Sequence, residues 1–486
     1  MVACGCGFTT FVTEQGEVFA FGRNDLGQLG LGAQAVAQAH QLLPASVGGR
    51  EVFAGEPLVM MATGRRHTAG VTKDGALWSW GEGYHGQLGH GDRAPRQRPE
   101  RLDRKIFGGS PAVMVACGHE HTLVLTAMGC VWSCGFGHYG QLGHGDQVEK
   151  LVLTLVSKER FQEAKIVMVA SGGNHSVALG VEGDVWTWGS GIFGQLGHDD
   201  MQNRLVPTQL AGEALGGAAA VLVAAGGLHT VVVMISGELW VWGYGRDGQL
   251  GLGDRTNRLE PVLVGAEDVF GEQVLMAACG NDHTLAVTKA GTLWSFGRGT
   301  DGKLGNNDTN DRLVPTQVEA HHFGHAKIVT VAAGVNHSDA VTEHGGLYTW
   351  GMGTYAEKWK EEEKEEEEEE YIIPGGLGHC DGETKLAPTF VIPALLQGAR
   401  IGHCHSLPPL CALAFAMGNH SRLGRVAQTA RTAADNGKDC GYVSMPGELV
   451  QQIVEACELW PKGRAGKLEG VMRLLGGGMI KERELK

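Results

Sequence analysis

The sequence predicts an all-β fold: a seven-bladed β-propeller of four-stranded antiparallel blades, followed by a short helical C-terminal tail. Three observations predict it. A 54-residue repeat runs through most of the 486 residues, and each repeat contains four runs of strand length. The 77 glycines are about twice the usual share of roughly 7%. Such an excess without a collagen period is typical of tight turns between short strands.

The repeat is clearest in a glycine that is followed three residues later by a histidine. Six such pairs stand 54 residues apart, and a seventh copy begins 59 residues earlier, at Gly5, with Phe8 in the histidine position. A blade cannot bury its faces alone, so a repeat of this length predicts blades stacked around one axis. The six pairs are Gly64 and His67, Gly118 and His121, Gly172 and His175, Gly226 and His229, Gly280 and His283, and Gly334 and His337.

Four strands follow one another in each repeat. An apolar run such as "KIVMVASGG" (165–173) comes first, then a run that starts at the histidine, such as "HTLAVT" (283–288). An aromatic run such as "DVWTWG" (184–189) and a Pro-led run such as "PTQL" (207–210) complete the set. Tryptophans two positions apart point to the same face of a strand, so we expect them to pack between blades.

The turn after the aromatic strand spells G-x-G-x-x-G, which is a dinucleotide-binding fingerprint when a helix follows it. Five copies occur at the repeat spacing, and no amphipathic helix follows them. We therefore interpret the glycines as structural and expect no cofactor. Asn24 takes the second glycine position in the first copy, and we read this as a demand for positive φ, which Asn tolerates. The predicted turn glycines are Gly81, Gly83, Gly86, Gly135, Gly137, Gly140, Gly189, Gly191, Gly194, Gly243, Gly245 and Gly248.

The combined motif, G-x-x-H-[TS] … L-W-S-W-G-x-G-x-x-G-Q-L-G-x-G-D … R-x-x-P, resembles the regulator of chromosome condensation repeat family. The resemblance covers residue 1 to about residue 355, and more weakly to about residue 424. It implies a seven-bladed propeller whose ring closes by pairing of the chain ends. Because "MVAC" (1–4) reads as a second strand, we expect "PTFV" (388–391) to complete the first blade.

The C-terminal part of the chain departs from the repeat. We assign residues 1–424 to the propeller repeats, with an acidic insertion at 356–374 in the turn of the seventh repeat and a degraded eighth copy at about 400–424. Residues 425–486 are predicted to form a helical extension, because Ser444 and the following Pro-containing segment read as a helix start.

Several histidines, cysteines and aspartates are candidates for metal binding or catalysis. His379, Cys380, His403, Cys404 and His405 are possible zinc ligands, but their spacing matches no zinc finger, and the repeat accounts for His379 and His405. We expect the repeated histidines to make structural hydrogen bonds to a neighbouring strand. Asp92, Asp254 and Asp308 each precede an Arg by four residues, which indicates an Asp–Arg ion pair that stabilises the turn. No catalytic arrangement departs from the repeat, so we expect neither metal sites nor hydrolytic or redox chemistry.

Charge is concentrated in one segment. The net charge is −14, of which the run 361–370, with nine Glu and one Lys, contributes −8. An acidic chain does not favour direct nucleic-acid binding. The basic segment 93–105 is predicted to be a solvated loop, with a phosphate- or acid-binding patch as the alternative. The acidic run is either a tolerated solvated loop or an arm for a basic partner, in which Glu361, Glu362, Glu363, Glu365 and Glu366 bind it.

Two functions remain open. The first is a protein-interaction scaffold, and the second is a guanine-nucleotide exchange factor for a Ran-like small GTPase, an activity that the resemblance implies for the founding member. A third family role, ultraviolet-B reception, uses a G-W-R-H-T motif, and no tryptophan stands in these slots here. Eleven scattered cysteines and the absence of a long apolar segment favour a cytoplasmic or nuclear protein with protein partners and no membrane contact.

Overall fold

Four-stranded antiparallel sheets recur seven times along the chain, as predicted. The computed structural model describes residues 1–37, 39–49, 51–265, 269–358, 370–374, 377–379 and 381–391. Within each sheet the strands lie in chain order, so each repeat folds as a meander of neighbouring hairpins. Helix is confined to single turns in this part of the chain: α1 (Ala33–Val36) and the 3₁₀ segments Arg104–Phe107, Lys158–Phe161, Thr300–Gly302 and Ala320–Phe323.

The seven sheets are numbered as blades 1 to 7 in chain order. The strands of blades 1 to 4 are β1 (Val2–Cys4), β2 (Phe8–Val12), β3 (Val18–Arg23), β4 (His40–Gly48); β5 (Leu58–Thr63), β6 (His67–Thr72), β7 (Leu77–Gly81), β8 (Arg96–Arg101); β9 (Ala112–Cys117), β10 (His121–Thr126), β11 (Val131–Gly135), β12 (Lys150–Leu155); β13 (Ile166–Ser171), β14 (His175–Gly180), β15 (Val185–Gly189) and β16 (Arg204–Gln209).

The later blades repeat the pattern, with one interruption in blade 7. Their strands are β17 (Ala220–Ala225), β18 (His229–Met234), β19 (Leu239–Gly243), β20 (Arg258–Leu263); β21 (Val274–Cys279), β22 (His283–Thr288), β23 (Leu293–Gly297), β24 (Arg312–Gln317); β25 (Ile328–Ala333), β26 (His337–Thr342), β27 (Leu347–Gly351), the inserted hairpin strands β28 (Thr354–Lys358) and β29 (Glu370–Pro374), and β30 (Lys385–Phe390).

The first strands of the blades line the axis, and they close the ring. The first strand of each blade contacts the first strand of the next, and β25 contacts β1 in the same way. Backbone hydrogen bonds from seven N–H groups run around this centre and join each pair of neighbouring blades. Their donors and acceptors are Cys6 to Arg65, Arg65 to His119, His119 to Gly173, Gly173 to Gly227, Gly227 to Gly280, Asn281 to Gly334, and Val335 to Gly5.

Two of the predictions on the blades are wrong. The segment 388–391 does not complete blade 1, because β30 pairs with β27 and completes its own blade beyond the insertion. Blade 1 is already complete: "MVAC" contains its first strand, and β4 is its fourth. The basic segment 93–105 is also more than a solvated loop, since Arg96–Arg101 forms β8, the exposed fourth strand of blade 2.

Aromatic side chains of the third strands fill the space between blades, as expected. Trp80, Trp188 and Trp350 are fully buried. Phe161, from the connection between blades, packs edge-on against both Trp186 and Trp188, with ring centroids 6.0 and 5.8 Å apart. Blade-to-blade packing therefore rests on these large apolar surfaces.

The predicted insertion begins and ends in a two-stranded antiparallel ribbon formed by β28 and β29. The partner-binding candidates Glu361, Glu362, Glu363, Glu365 and Glu366 lie outside the described residues, as do the degraded eighth copy and the helical extension. In the part of the chain that the structure covers, no helix has the length and apolarity needed to cross a membrane.

Candidate interaction face

The loops of the propeller lie on two opposite faces. In an antiparallel meander the first and third loops leave from the same edge, so residues 64–66 and 82–95 of blade 2 share one face with their equivalents in other blades. We call it the turn face, because it carries the G-x-G-x-x-G segments. The hairpins between second and third strands, and the connections between blades, lie on the opposite face.

Beneath the turn face, the repeated histidines tie neighbouring blades together, as predicted. His67 Nε2 lies 2.9 Å from Thr122 Oγ1 of the next blade, and His175 Nε2 lies 3.0 Å from Thr230 Oγ1. His121, His229, His283 and His337 make the same link to Ser176, Thr284, Ser338 and Thr9 at 2.8 to 3.1 Å. Six of the seven blade junctions carry this bond, and the seventh has Phe8 in the histidine position.

The direction of these bonds shows which ring nitrogen carries the proton in five of the histidines, and burial keeps these histidines neutral. The Thr122 hydroxyl donates to the Gln87 carbonyl at 2.8 Å, so it accepts from the Nε2–H of His67. Nδ1 of His67 then keeps its lone pair, and this atom is buried without a partner, as it is in His121, His175, His229 and His283. Burial lowers the pKa of His67, His121 and His175 to about 3 and that of His229 to about 4. Burial also places the pKa of His283 well below its ordinary value.

The "GQLG" segment of each turn is buried and joins two neighbouring blades by hydrogen bonds. Gln141 is fully buried, and its carbonyl accepts from Ser176 Oγ at 2.8 Å and from Trp188 Nε1 at 2.9 Å. Its side-chain Oε1 accepts from the backbone N–H of Tyr139 at 3.0 Å. The Gln195 carbonyl accepts the same pair of hydrogen bonds, and so does the Lys303 carbonyl, where lysine replaces glutamine. These polar groups are therefore already bonded within the fold.

The glycines of the turn occupy two kinds of position. Gly81 has φ +98°, and a Cβ there would lie 2.6 Å from the Arg66 carbonyl oxygen. Gly83 does not have a positive φ, but a Cβ there would lie 2.4 Å from the Ala94 carbonyl oxygen. Gly81 is needed for its positive φ, and Gly83 is needed because the Ala94 carbonyl lies so close to its backbone. We therefore propose a structural role for all of the predicted turn glycines.

The reason that we gave for Asn24 is wrong. The second position does not use positive φ: Gly299, its sixth copy, has φ −96°. Asn24 instead holds the turn with its own groups, because its side-chain Oδ1 accepts from the Leu29 N–H at 3.1 Å and its backbone N–H donates to the Ala39 carbonyl at 2.7 Å.

The other motif residues also have structural partners. The predicted Asp–Arg ion pairs are present, with distances of 2.8 Å in Asp92–Arg96 and 2.7 Å in both Asp254–Arg258 and Asp308–Arg312. His379 Nε2 lies 2.8 Å from Thr349 Oγ1, as His144 lies 2.8 Å from Ser133 Oγ. The repeat therefore accounts for His379, and the remaining zinc candidates, Cys380, His403, Cys404 and His405, lie outside the described residues.

Between the turn glycines, variable residues form an aromatic band on the turn face of blades 2 to 5. Tyr84 and Ile192 are 48% and 47% exposed. The rings of His85 and Phe136 link blades 2 and 3 with centroids 5.1 Å apart. Phe136 also contacts Tyr139, and Phe193 contacts Tyr244 of blade 5 at 5.1 Å. We define the aromatic band as Tyr84, His85, Phe136, Tyr139, Ile192, Phe193 and Tyr244.

Charges beside the band are mostly paired with each other. Glu149 lies 2.7 Å from His85 Nδ1 and 2.6 Å from Arg93 Nη1. Burial favours a higher pKa for the Glu149 carboxyl, but hydrogen bonds from His85 and Arg93 outweigh it and hold the pKa below its ordinary value. Exposed rings beside compensated charges are typical of a protein-binding surface with a polar rim.

The repeated positions of the turn, on which the sequence-based predictions rest, give no sign of this band. The signal lay in the intervening letters, "YH" at 84–85, "HY" at 138–139 and "IF" at 192–193, which are aromatic or apolar where a solvated turn needs neither.

The family follows from comparison with known proteins. A family model described as an RCC1-like domain matches residues 1–338 and 108–407. The chain belongs to the RCC1-like domain family. This confirms the resemblance to the regulator of chromosome condensation repeats.

Individual relatives of this RCC1-like chain differ in length and activity. The ultraviolet-B receptor UVR8 of Arabidopsis thaliana is 36% identical over 301 residues, which cover 62% of this chain and 66% of the receptor. The E3 ubiquitin-protein ligase HERC2 of Homo sapiens is 32% identical over 336 residues, covering 68% of this chain and 7% of the ligase. The chain thus spans less than two thirds of both relatives.

Two solved structures share this RCC1-like propeller. Human WBSCR16 superposes with a TM-score of 0.61 at 28% identity, over 69% of this chain and 84% of that one. Prp20p of Saccharomyces cerevisiae superposes with a TM-score of 0.64 at 24% identity, over 79% of this chain and 87% of that one.

Proposed function

We propose that this chain is a protein-interaction scaffold whose main binding surface is the aromatic band on the turn face. One observation carries the proposal. The repeated histidines and the glutamines of the turn are buried and hydrogen-bonded within the fold, whereas Tyr84, Tyr139 and Ile192 project from variable turn positions of adjacent blades. Aromatic anchors surrounded by paired charges are the features that concentrate binding energy in protein interfaces.

The kind of partner is inferred from the surface and from the insertion. The band suits an apolar or aromatic anchor of a protein, while the acidic run 361–370 suits a basic partner or segment. We infer a protein partner rather than nucleic acid, and a cytoplasmic or nuclear location, because the cysteines are unpaired where described and the chain is acidic.

Replacing Tyr139 and Ile192 together by Ser is expected to lower the yield of captured partners at least tenfold, which corresponds to about 1.4 kcal/mol. Melting should hardly change, because both residues are exposed and surface substitutions alter stability by roughly 0.5 kcal/mol or less. The measurement is quantitative mass spectrometry of proteins recovered from a cell extract by the full chain. Met128→Ser is the matched control, since Met128 is 55% exposed on the opposite face. Equal losses in both variants would refute the assignment of the turn face.

A second candidate is nucleotide exchange on a Ran-like small GTPase. The observation that favours it is the propeller shared with yeast Prp20p, whose structure was described together with its binding properties to Gsp1p, a Ran-like GTPase, and to histones. At 24% identity that likeness supports the shared fold, so exchange activity stays a hypothesis with a clear signature: faster nucleotide release at sub-stoichiometric amounts of this chain.

A further inference from the structure

Blades 7 and 1 meet at a buried group of three metal-binding side chains. Cys4 of β1, together with His337 and Asp339 of β26, offers one sulfur, one nitrogen and one oxygen atom, all within 4.8 Å of one another. The Cys4 thiol donates to Asp339 Oδ2 at 2.9 Å. Thr9 of β2 lies beside them, with Oγ1 3.0 Å from His337 Nε2.

The carboxylate makes this junction different from the others. Asp339 is 0% exposed, and its carboxylate accepts hydrogen bonds from Cys4 and Thr9, but its Oδ1 has no hydrogen-bond partner among the described residues. A buried carboxylate oxygen without a donor is strongly unfavourable unless a cation or a proton compensates it. The equivalent positions in blades 2 to 6 are all buried and apolar: Ala69, Leu123, Val177, Val231 and Leu285.

We propose that Cys4, His337 and Asp339 bind one Zn²⁺ ion that fastens the last blade to the first. Thiolate, imidazole and carboxylate are the ligands that zinc takes in proteins, and two ligands of a tetrahedral zinc ion lie about 3.5 Å apart. The three donor atoms lie within 4.8 Å of one another, with Cys4 Sγ 2.9 Å from Asp339 Oδ2, so side-chain adjustment can bring them to that spacing. Binding replaces the thiol proton of Cys4 and supplies the positive charge that Asp339 lacks.

The junction between blades 2 and 3 provides a matched comparison. His67 and Thr122 make the same bond there at 2.9 Å. Cys117 ends β9 as Cys4 ends β1, and its thiol lies near Thr122 and Ala69. Ala69 therefore stands where Asp339 stands. Because that junction folds without a carboxylate, Asp339→Ala is expected to leave the ring intact.

The test is the zinc content of the untagged full chain, purified from zinc-supplemented cells. Zinc is measured by inductively coupled plasma mass spectrometry. We expect one zinc ion per chain in the wild type and in Cys117→Ser, and at least a tenfold loss in Asp339→Ala and Cys4→Ser. After chelation, added Zn²⁺ should raise the melting temperature of the wild type but not of Asp339→Ala. Far-UV circular dichroism checks that each variant is folded, and Asp339→Asn replaces Asp339→Ala if that variant is not.

Three results would overturn the proposal. The first is a wild-type chain without zinc, and the second is equal zinc in the wild type and the Asp339 variant. The third is a loss of zinc in Cys404→Ser with Cys4→Ser unaffected, which would move the metal to the cysteine and histidine residues near position 404. Cobalt substitution adds a spectroscopic readout, because a thiolate–cobalt absorption band should disappear in Cys4→Ser.

Discussion

Lowering the pH from 6.5 to 5.5 is expected to destabilise this propeller by about 1 kcal/mol for each buried junction histidine. His67, His121, His175, His229 and His283 are held neutral in the fold with lowered pKa values. The unfolded chain takes up protons below about pH 6.5, while the folded chain cannot, so stability is full above that pH and falls as the pH decreases. Five such groups together approach the whole stability of a typical domain.

The measurement is urea unfolding followed by fluorescence at half-unit steps between pH 7.5 and 4.5. The stability should fall steeply below pH 6.5, with a slope equivalent to several protons. His229→Phe is the control, because Phe8 fills that position in blade 1, and it should reduce the slope by about one proton. A stability that stays flat down to pH 4, where carboxylates titrate, would show that these histidines are not buried as neutral groups.

Trp188→Ala is expected to reduce the free energy of unfolding by about 3–5 kcal/mol. Trp188 is fully buried, packs edge-on against Phe161, and donates from Nε1 to the Gln141 carbonyl at 2.9 Å. The truncation therefore leaves a cavity between two blades and removes one of the two donors to that carbonyl.

The repeat supplies a graded control for this prediction. Phe21 and Phe296 take the equivalent position in blades 1 and 6, where both are fully buried. Trp188→Phe should accordingly lower the free energy of unfolding by only about 1–2 kcal/mol. Equal unfolding free energies for the Ala and Phe variants in urea titrations would mean that the tryptophan does not hold the blades together.

The sequence was sufficient to predict the propeller because its evidence is repeated. A histidine recurs every 54 residues, and a Trp pair recurs in the third strand, so the repeat cannot be a chance similarity between segments. Ring closure occurs only once, so no repetition constrained it. "PTFV" looked like a spare strand because the insertion separates β30 from β27 along the chain, although the two strands pair.

The aromatic band and the Cys4–His337–Asp339 group needed the structure for a different reason. Tyr139 and Ile192 lie 53 residues apart on neighbouring blades, so only the propeller places them on one face. Cys4 lies 335 residues from Asp339, and ring closure brings these two residues into contact. Asp339 is nevertheless visible in the sequence once the copies are aligned, because it alone places a charge two residues after the repeated histidine.

Release of a fluorescent guanine nucleotide from a Ran-like GTPase separates scaffold from exchange factor most directly. We predict that the full chain, at one tenth of the GTPase concentration, leaves the release rate at its spontaneous value, because the proposed scaffold role requires binding of partners and no catalysis of exchange. A catalysed release at this ratio, lost in the Tyr139→Ser and Ile192→Ser double variant but retained in Met128→Ser, would contradict the scaffold proposal and make the turn face an exchange surface.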